Sequence, residues 1–284
     1  MRILQPAPAA RNRKSRVKNK GQVKNMCRII SIVNMKGGVG KSTTAVNLGI
    51  GLAKQGKKVL LLDCDSQGSL TASLGFRKPS LLEPSIATVM ASIIEEDEVQ
   101  DPILHHREGV DLVPANETLK GVELALVNVM SRELILKEYV SGLRPDYDYI
   151  LLDCAPSLGL MTINALACAD SVLIPVQAAK LALDGLQELI RTIGKIRRQI
   201  NPDLTIEGVL ITMVNPRTKY ARETMEMLRN SYGDKIHIFR KFIPYTVRLE
   251  ETPAEGVSIY RHDANGKAAA AYLELTKEVL DNEK

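Results

Sequence analysis

A glycine-rich run with two lysines has the composition and spacing of a phosphate cradle. It consists of Lys36, Gly37, Gly38, Val39, Gly40, Lys41, Ser42 and Thr43. Glycines let backbone N–H groups turn inward around an anion, and a following helix presents its positive end to that anion. Lys41 can then reach the outer phosphates, and the Ser42 hydroxyl can bind Mg²⁺. Met35 stands where the strict P-loop pattern requires glycine, so the run is a variant with an added Lys36, and it predicts nucleotide binding.

Three carboxylates follow apolar runs and can serve the same chemistry. Asp63 and Asp65 end one run, and because residues two apart in a strand point the same way, both can face the phosphates. One of the pair can belong to the metal shell while the other orients the attacking water. Asp153 ends a second apolar run, and Pro156 follows it three residues later. An aspartate at the end of such a strand can lie beside Mg²⁺ in phosphate-binding folds.

These residues need a scaffold that brings strand ends together. Apolar runs of strand length alternate with longer helical segments, which predicts an α/β fold: a P-loop, a largely parallel doubly wound sheet and helices on both faces. We predict strands at 28–33, 58–63, 110–113, 149–153, 171–176, 208–214 and 236–239. We predict helices at 42–54, 85–94, 119–139, 161–167, 183–200, 220–232 and 268–280. The connection 68–85 is expected to be a mobile loop, and the chemistry to lie at the carboxyl edge of the sheet.

The basic residues are distributed unevenly along the chain. Eight of its 38 lysines and arginines, and no acid, lie in residues 1–25, which we call the basic tail. The rest of the chain therefore has 30 basic against 33 acidic residues. A tail of this composition cannot bury a core face, so we expect residues 1–25 to be disordered when free and residues 26–284 to form a single domain.

Several classes of protein are disfavoured by composition. The chain has neither an apolar run of membrane-spanning length nor an N-terminal apolar signal, which predicts a cytosolic protein. Its four cysteines are far apart without a C-x-x-C pair, as expected of buried apolar side chains rather than a zinc ribbon or disulfide framework. The histidines, an adjacent pair at 105–106 and single residues at 237 and 262, do not indicate a metal site.

Taken together and in order, the motifs resemble those of the deviant Walker A ATPases of the ParA/Soj partition family over about residues 28–280. The matching segments are KGGVGKST at 36–43, LLDCDSQG at 61–68, YILLDCAPS at 149–157, IPVQ at 174–177 and LDGL at 183–186. Segments 212–218 and 243–249 resemble that family's segments near adenine and on its DNA-binding face. Ser66, the stretch 178–180 and the residues Tyr245, Thr246 and Glu250 near Arg248 depart from the usual pattern.

The resemblance implies ATP and Mg²⁺ as cofactors and a homodimer that sandwiches two ATP molecules. Lys36 of one subunit would reach the partner's nucleotide as an arginine finger does, with Lys41 and Asp65 as the other catalytic residues. By the same resemblance Asp65 positions the lytic water and Thr43 bonds the α-phosphate. The residues implied on the magnesium side are Ser42, Asp63 and Asp153.

Adenine and DNA contacts are implied in the same way. Asn215 and Pro244 would lie at the base. Nonspecific contacts to double-stranded DNA would come from Arg217 and Arg248, joined by Lys219 and Arg222. The basic tail can add salt-sensitive phosphate contacts or remain a solvated extension.

The implied function is a slow ATPase of the nucleoid-associated cytoplasm that segregates a plasmid, chromosome or mobile element with a ParB-like partner. Three alternatives stay open: a positioning ATPase for another cargo, a membrane-associated ATPase similar to MinD, and an electron-transfer ATPase similar to the nitrogenase iron protein. The MinD type ends in a basic amphipathic helix, which the last residues of this chain do not resemble. The electron-transfer type needs cluster cysteines, whereas Cys64 and Cys154 lie within the nucleotide motifs.

Overall fold

A seven-stranded sheet organises the molecule. The computed structural model describes residues 26–178 and 182–282, and the basic tail and positions 179–181 and 283–284 lie outside the described residues. The strands are β1 Arg28–Ile32, β2 Val59–Cys64, β3 Leu104–His105, β4 Val110–Val113, β5 Tyr149–Cys154, β6 Ser171–Gln177 and β7 Thr205–Thr212. Their order across the sheet is β3-β4-β2-β5-β1-β6-β7. The pairs are parallel except β3 with β4, so the prediction of a largely parallel α/β sheet is confirmed.

Helices cover both faces of this sheet. They are α1 Lys41–Lys54, α2 Ser69–Ser73, α3 Ile86–Ile94, α4 Leu119–Leu126, α5 Ile135–Leu143, α6 Leu160–Cys168, α7 Ala182–Gln199, α8 Lys219–Tyr232, α9 Val247–Glu255, α10 Ile259–His262 and α11 Lys267–Asp281. A short 3-10 helix occupies Pro79–Leu81.

The strand interiors are apolar on both faces because two separate cores pack against them. Side chains of β2 alternate between these cores: Leu60 and Leu62 face the one that contains residues of α3, α5, α6 and α7, whereas Leu61 faces the one built with α1 and α11. This double burial explains why β2 and β5 are almost entirely apolar in sequence. Asp63 and Asp153, near the carboxyl ends of these two strands, are polar exceptions to this pattern.

Three predictions about elements were wrong. The predicted helix 119–139 is two helices, α4 and α5, because Ser131 has a backbone φ of 53°, which a continuous helix cannot accommodate. The predicted strand 236–239 is reduced to an isolated bridge between Val209 and Ile238. The expected loop 68–85 contains α2 and the 3-10 helix, and α2 is held in place by bonds from Thr71 to Asp63.

Candidate nucleotide and magnesium site

The glycine-rich run forms the turn between β1 and α1 at the carboxyl edge of the sheet. Gly38 and Gly40 adopt left-handed conformations, with φ of 69° and 85°, that favour glycine over other residues. Gly40 is the N-cap of α1, which starts at Lys41 and carries no acidic residue in its first turn. Thr212 anchors the loop by donating from Oγ1 to the carbonyl of Val39 at 2.9 Å. The free end of α1 thus opens onto a loop of backbone N–H groups, as an anion requires.

A cavity of about 370 Å³ lies over this loop, and we call it the phosphate cavity. Its walls include Ser42, Thr43, Asp65 and Pro156, together with the glycines at 37, 38 and 40. Residues from three separate strand ends therefore border one space. That convergence was expected from the parallel sheet, since the carboxyl ends of such strands meet at one edge.

Lys41 lies within the phosphate cavity with little access to solvent. Only 8% of the residue is exposed, and this burial lowers the pKa of its amine, an effect that the nearby carboxylate of Asp153 opposes. The amine donates to the carbonyl of Lys36 at 3.3 Å. A cation held this close to the loop and only partly compensated is suited to the outer phosphates of a nucleotide.

Asp63 and Asp153 are direct neighbours across the sheet. They are register partners on the adjacent strands β2 and β5, and both are buried. Asp63 accepts three hydrogen bonds: from the Thr71 amide at 2.9 Å, the Thr71 hydroxyl at 2.7 Å and the Asp65 amide at 3.1 Å. Burial nevertheless raises the pKa of Asp63 to about 6.

The hydrogen-bonding capacity of the Asp153 carboxylate is satisfied less completely than that of Asp63. Burial, and after it the charge of Asp63, raises the pKa of Asp153 well above its usual range, while a hydrogen bond from Ser42 opposes the shift. Its Oδ1 is buried and has no hydrogen-bond partner among the described residues. An orphaned carboxylate oxygen beside a hydroxyl is a donor set that suits Mg²⁺, so Ser42 and Asp153 fit this ion.

Asp65 and Lys36 occupy different positions around the phosphate cavity. Asp65 is half-buried in its wall and accepts a hydrogen bond from the Gln67 amide at 3.0 Å. Lys36 is exposed and is not among the lining residues; its amine lies 3.4 Å from Oε1 of Gln177, at the end of β6. Of the three predicted catalytic residues, Lys41 and Asp65 therefore line the phosphate cavity and Lys36 does not.

A second cavity, which we call the base cavity, adjoins the phosphate cavity. Both are bordered by Gly40, Thr43 and Met213. Pro244 lines the base cavity and Asn215 does not; the carboxamide of Asn215 accepts a hydrogen bond from the Arg217 amide at 3.2 Å. Tyr245, Thr246 and Leu249, from the segment 243–249, also line it. Sequence reasoning did not place Glu250, Pro253 or Tyr272 at this site.

The four predicted DNA-contacting cations are all exposed and lie on two connected segments. Arg217, Lys219 and Arg222 surround the start of α8, where Lys219 pairs with Glu223 at 3.5 Å. Arg248 is in the first turn of α9 and pairs with Glu251 at 3.3 Å. A bridge between Val214 and Pro244 joins the two segments.

In residues 26–178 and 182–282 no cluster of three or more histidine, cysteine or acidic side chains could hold a metal ion. All four cysteines are buried. No described helix is long and apolar enough to cross a bilayer.

Comparison with known proteins gives consistent relationships. The family model for an AAA domain matches residues 27–206. The chain is 43% identical over 258 residues to the sporulation initiation inhibitor protein Soj of Bacillus subtilis, a match that covers 90% of this chain and 100% of that protein. It is 41% identical over 255 residues to the chromosome partitioning protein ParA of Myxococcus xanthus, covering 89% of this chain and 88% of that protein.

A solved structure of the same architecture contains the expected ligands. The cobyrinic acid a,c-diamide synthase of Mycobacterium smegmatis, determined with a bound ATP analog and magnesium, has a TM-score of 0.77 and 33% identity to this chain. The match covers 90% of this chain and 95% of that one. ATP and Mg²⁺ are accordingly the cofactors of the site described above.

Proposed function

The chain belongs to the ParA/Soj family of partition ATPases, and we propose that it is an ATP-dependent dimer that binds DNA nonspecifically and segregates a replicon or mobile element with a ParB-like partner. The observation that carries the proposal is that Lys41 and Ser42 line the phosphate cavity and that both interact with the buried carboxylate of Asp153. Relatives named for partition add the biological context.

Hydrolysis in such a site depends on positioning and charge compensation rather than on a covalent intermediate. Lys41 would neutralise the outer phosphates, and Ser42 and Asp153 would hold the magnesium ion. Bound there, Mg²⁺ compensates charge on the phosphate oxygens. Asp65, in the cavity wall, would orient the attacking water. Asp63 belongs to the magnesium side as well, but its three internal hydrogen bonds favour a supporting position behind Asp65.

Lys36 is proposed to act on the nucleotide of a second copy. Its side chain is exposed and lies away from the phosphate cavity of its own subunit. A cation that cannot help its own nucleotide is suited to reach across a dimer interface. Thr43 would contact the α-phosphate, and Pro244 with Asn215 would border the base; for Asn215 this requires its carboxamide to leave the Arg217 amide.

Nucleotide binding can influence DNA contacts directly through α9. Leu249 and Glu250 line the base cavity, and the preceding residue, Arg248, is exposed. The bridge from Val214 to Pro244 links the same region to Arg217. Lys219, Arg222 and the basic tail would add phosphate contacts whose affinity falls steeply with salt.

DNA retention measured with and without ATP tests the proposal. The purified protein should retain DNA of any sequence only with Mg·ATP, and retention should decrease as salt rises. Lys41→Ala should abolish the ATP effect, whereas Lys195→Ala, a change on the exposed face of α7, should leave it unchanged. A Lys41→Ala variant that still retained DNA only when ATP was present would contradict the proposal.

A further inference from the structure

An unassigned cavity of about 400 Å³ lies away from the nucleotide site, and we call it the acidic cavity. It is bounded by the segment around β3 and by α5 with the turn that follows. Apolar walls come from Ile103 and Leu143, aromatic walls from Tyr139 and Tyr147, and carboxylates from Asp101 and Asp146.

The electrostatic character of the acidic cavity is negative. Asp101 and Asp146 are exposed at its surface, and five of the seven residues in 95–101 are acidic while none is basic. After burial, the charge of Asp101 contributes to raising the pKa of Tyr139. The histidine on the cavity, His105, is already paired with Asp111 at 2.6 Å.

The same cavity contains an unsatisfied polar group. The hydroxyl oxygen of Tyr139 is buried without a hydrogen-bond partner among the described residues. Apolar walls, aromatic rings and two carboxylates together suit a lysine or arginine side chain. Its aliphatic stem can pack against the apolar walls and rings while the carboxylates neutralise its charged end. The chemistry of the cavity thus suits a cationic side chain.

The basic tail joins the fold next to this cavity. Where the tail ends, the carbonyl of Cys27 accepts a hydrogen bond from Nη1 of Arg144 at 2.8 Å, and the amide of Arg28 donates to the carbonyl of Asp148 at 2.9 Å. Asp146 and Tyr147, which line the cavity, lie between these two anchoring residues in sequence. A segment with eight basic residues and no acid is therefore attached beside an acidic surface.

We propose that the acidic cavity binds lysine and arginine side chains of the basic tail of the same chain. The attraction would be strong at low salt and weak at high salt, since exposed charges are screened. Tethering raises the effective concentration of the tail at the cavity well above that of any free peptide. This interaction does not depend on the proposed function, although a docked tail would be withheld from DNA.

Zero-length carbodiimide cross-linking of the full chain, with an equal mixture of isotopically light and heavy protein, tests the site and the occupant together. We expect amide links from Lys14, Lys18, Lys20 or Lys24 to Asp101 or Asp146, formed within one copy. They should be at least about fivefold more abundant than links to Glu226 and Asp234, exposed carboxylates that follow the opposite edge strand β7. Links formed between light and heavy copies, or confined to 95–98, would overturn the proposal.

Tryptic cleavage of the tail in the full chain gives an independent measurement. At low salt, Asp101→Asn with Asp146→Asn should accelerate cleavage after the tail lysines and arginines about fivefold, because the released tail is accessible. The matched pair Glu226→Gln with Asp234→Asn should leave the rate unchanged, and circular dichroism should show both variants folded. Equal cleavage rates in the wild type and the Asp101/Asp146 variant would refute docking in the cavity.

Discussion

Thr71 holds Asp63 by two hydrogen bonds to a single carboxylate oxygen, one from its amide and one from its hydroxyl. The same hydroxyl accepts a bond from the Ala115 amide at 3.1 Å, and the other oxygen of Asp63 accepts from the Asp65 amide. Asp63 is thereby the link between α2 and the residue proposed to orient water. Thr71 is a positioning residue, since neither Thr71 nor Asp63 lines the phosphate cavity and the contact of Asp63 with the cavity wall is its bond to the Asp65 amide.

Thr71→Val should lower kcat for ATP hydrolysis about tenfold with little change in KM. The variant keeps the shape of the side chain but removes one hydrogen bond to a carboxylate and leaves the Ala115 amide unpaired, which costs about 1–3 kcal/mol per group. Thr71→Ser should restore the rate. Thr276→Val, at an equally buried threonine far along the chain, is the matched control.

A double-mutant cycle distinguishes positioning from general loss of stability. If Thr71 acts through Asp65, Thr71→Val added to Asp65→Asn should have no further effect on kcat. Additive losses would show that Thr71 acts on hydrolysis by another route.

Asp153→Asn should remove the contribution of magnesium to ATP binding. The unpaired Oδ1 is the group that fits the ion, and the amide that replaces it can no longer supply a charged ligand. In calorimetry, ATP affinity with Mg²⁺ should fall by about tenfold or more, while affinity in chelator should change little. The control variant Asp234→Asn should bind ATP like the wild type. If Mg²⁺ strengthens ATP binding to Asp153→Asn as much as to the wild type, the Asp153 carboxylate is not a ligand of the ion.

Gly256→Ala should destabilise the fold by about 2–4 kcal/mol. Gly256 has a φ of 64°, and a Cβ added there would meet the backbone of Gly75, including its nitrogen at 2.8 Å. Gly56→Ala is the matched control, because Gly56 has a φ of 82° but open space around it, so it should cost only about 1–2 kcal/mol. Similar unfolding midpoints for the two variants would argue against a steric contact between α2 and α9.

His262 should make stability depend on pH. Its two ring nitrogens each lie 3.0 Å from a carboxylate, Glu255 and Glu251, and hydrogen bonds to these groups raise the pKa of His262. The folded state therefore binds the proton more tightly than the unfolded chain does. The resulting stability is complete below the ordinary histidine pKa and is lost as pH rises through the raised value. His262→Asn should make the melting temperature depend less on pH over that range. A melting temperature with the same pH dependence as that of the wild type would contradict this account.

Arg217→Ala and Arg248→Ala should each weaken DNA binding uniformly across sequences and reduce the slope of log affinity against log salt by about 1. Uniform loss is expected because a phosphate contact carries no sequence information. Arg191→Ala, at an exposed position on α7, is the control. If the salt dependence of a variant has the same slope as that of the wild type, the substituted arginine does not contact DNA phosphates.

The local signals of the chain were sufficient for the phosphate end of the site. Glycine spacing predicted the loop from Lys36 to Thr43, and the apolar runs ending in Asp63 and Asp153 predicted strand ends at one edge of the sheet, because burial on both faces makes a strand almost entirely apolar. The same reasoning could not assign different surroundings to these two aspartates. That difference comes from Thr71, eight residues beyond Asp63, whose helix has no signal of its own.

The base cavity and the acidic cavity show the opposite situation. Pro244 was predicted to lie at the base, but α9 escaped detection because it is short and polar and contains Pro253. The acidic cavity joins positions 99–105 to α5, which are separated by the whole of β4 and α4.

The sequence by itself determined the α/β sheet, the phosphate loop and the carboxylates at its edge, since each depends on residues close together in the chain. Only the tertiary structure decided which carboxylate oxygen is left without a partner, which helix closes the base cavity and which acids line the acidic cavity. Those properties depend on contacts between distant segments, and their energies are set by burial, which no local pattern records.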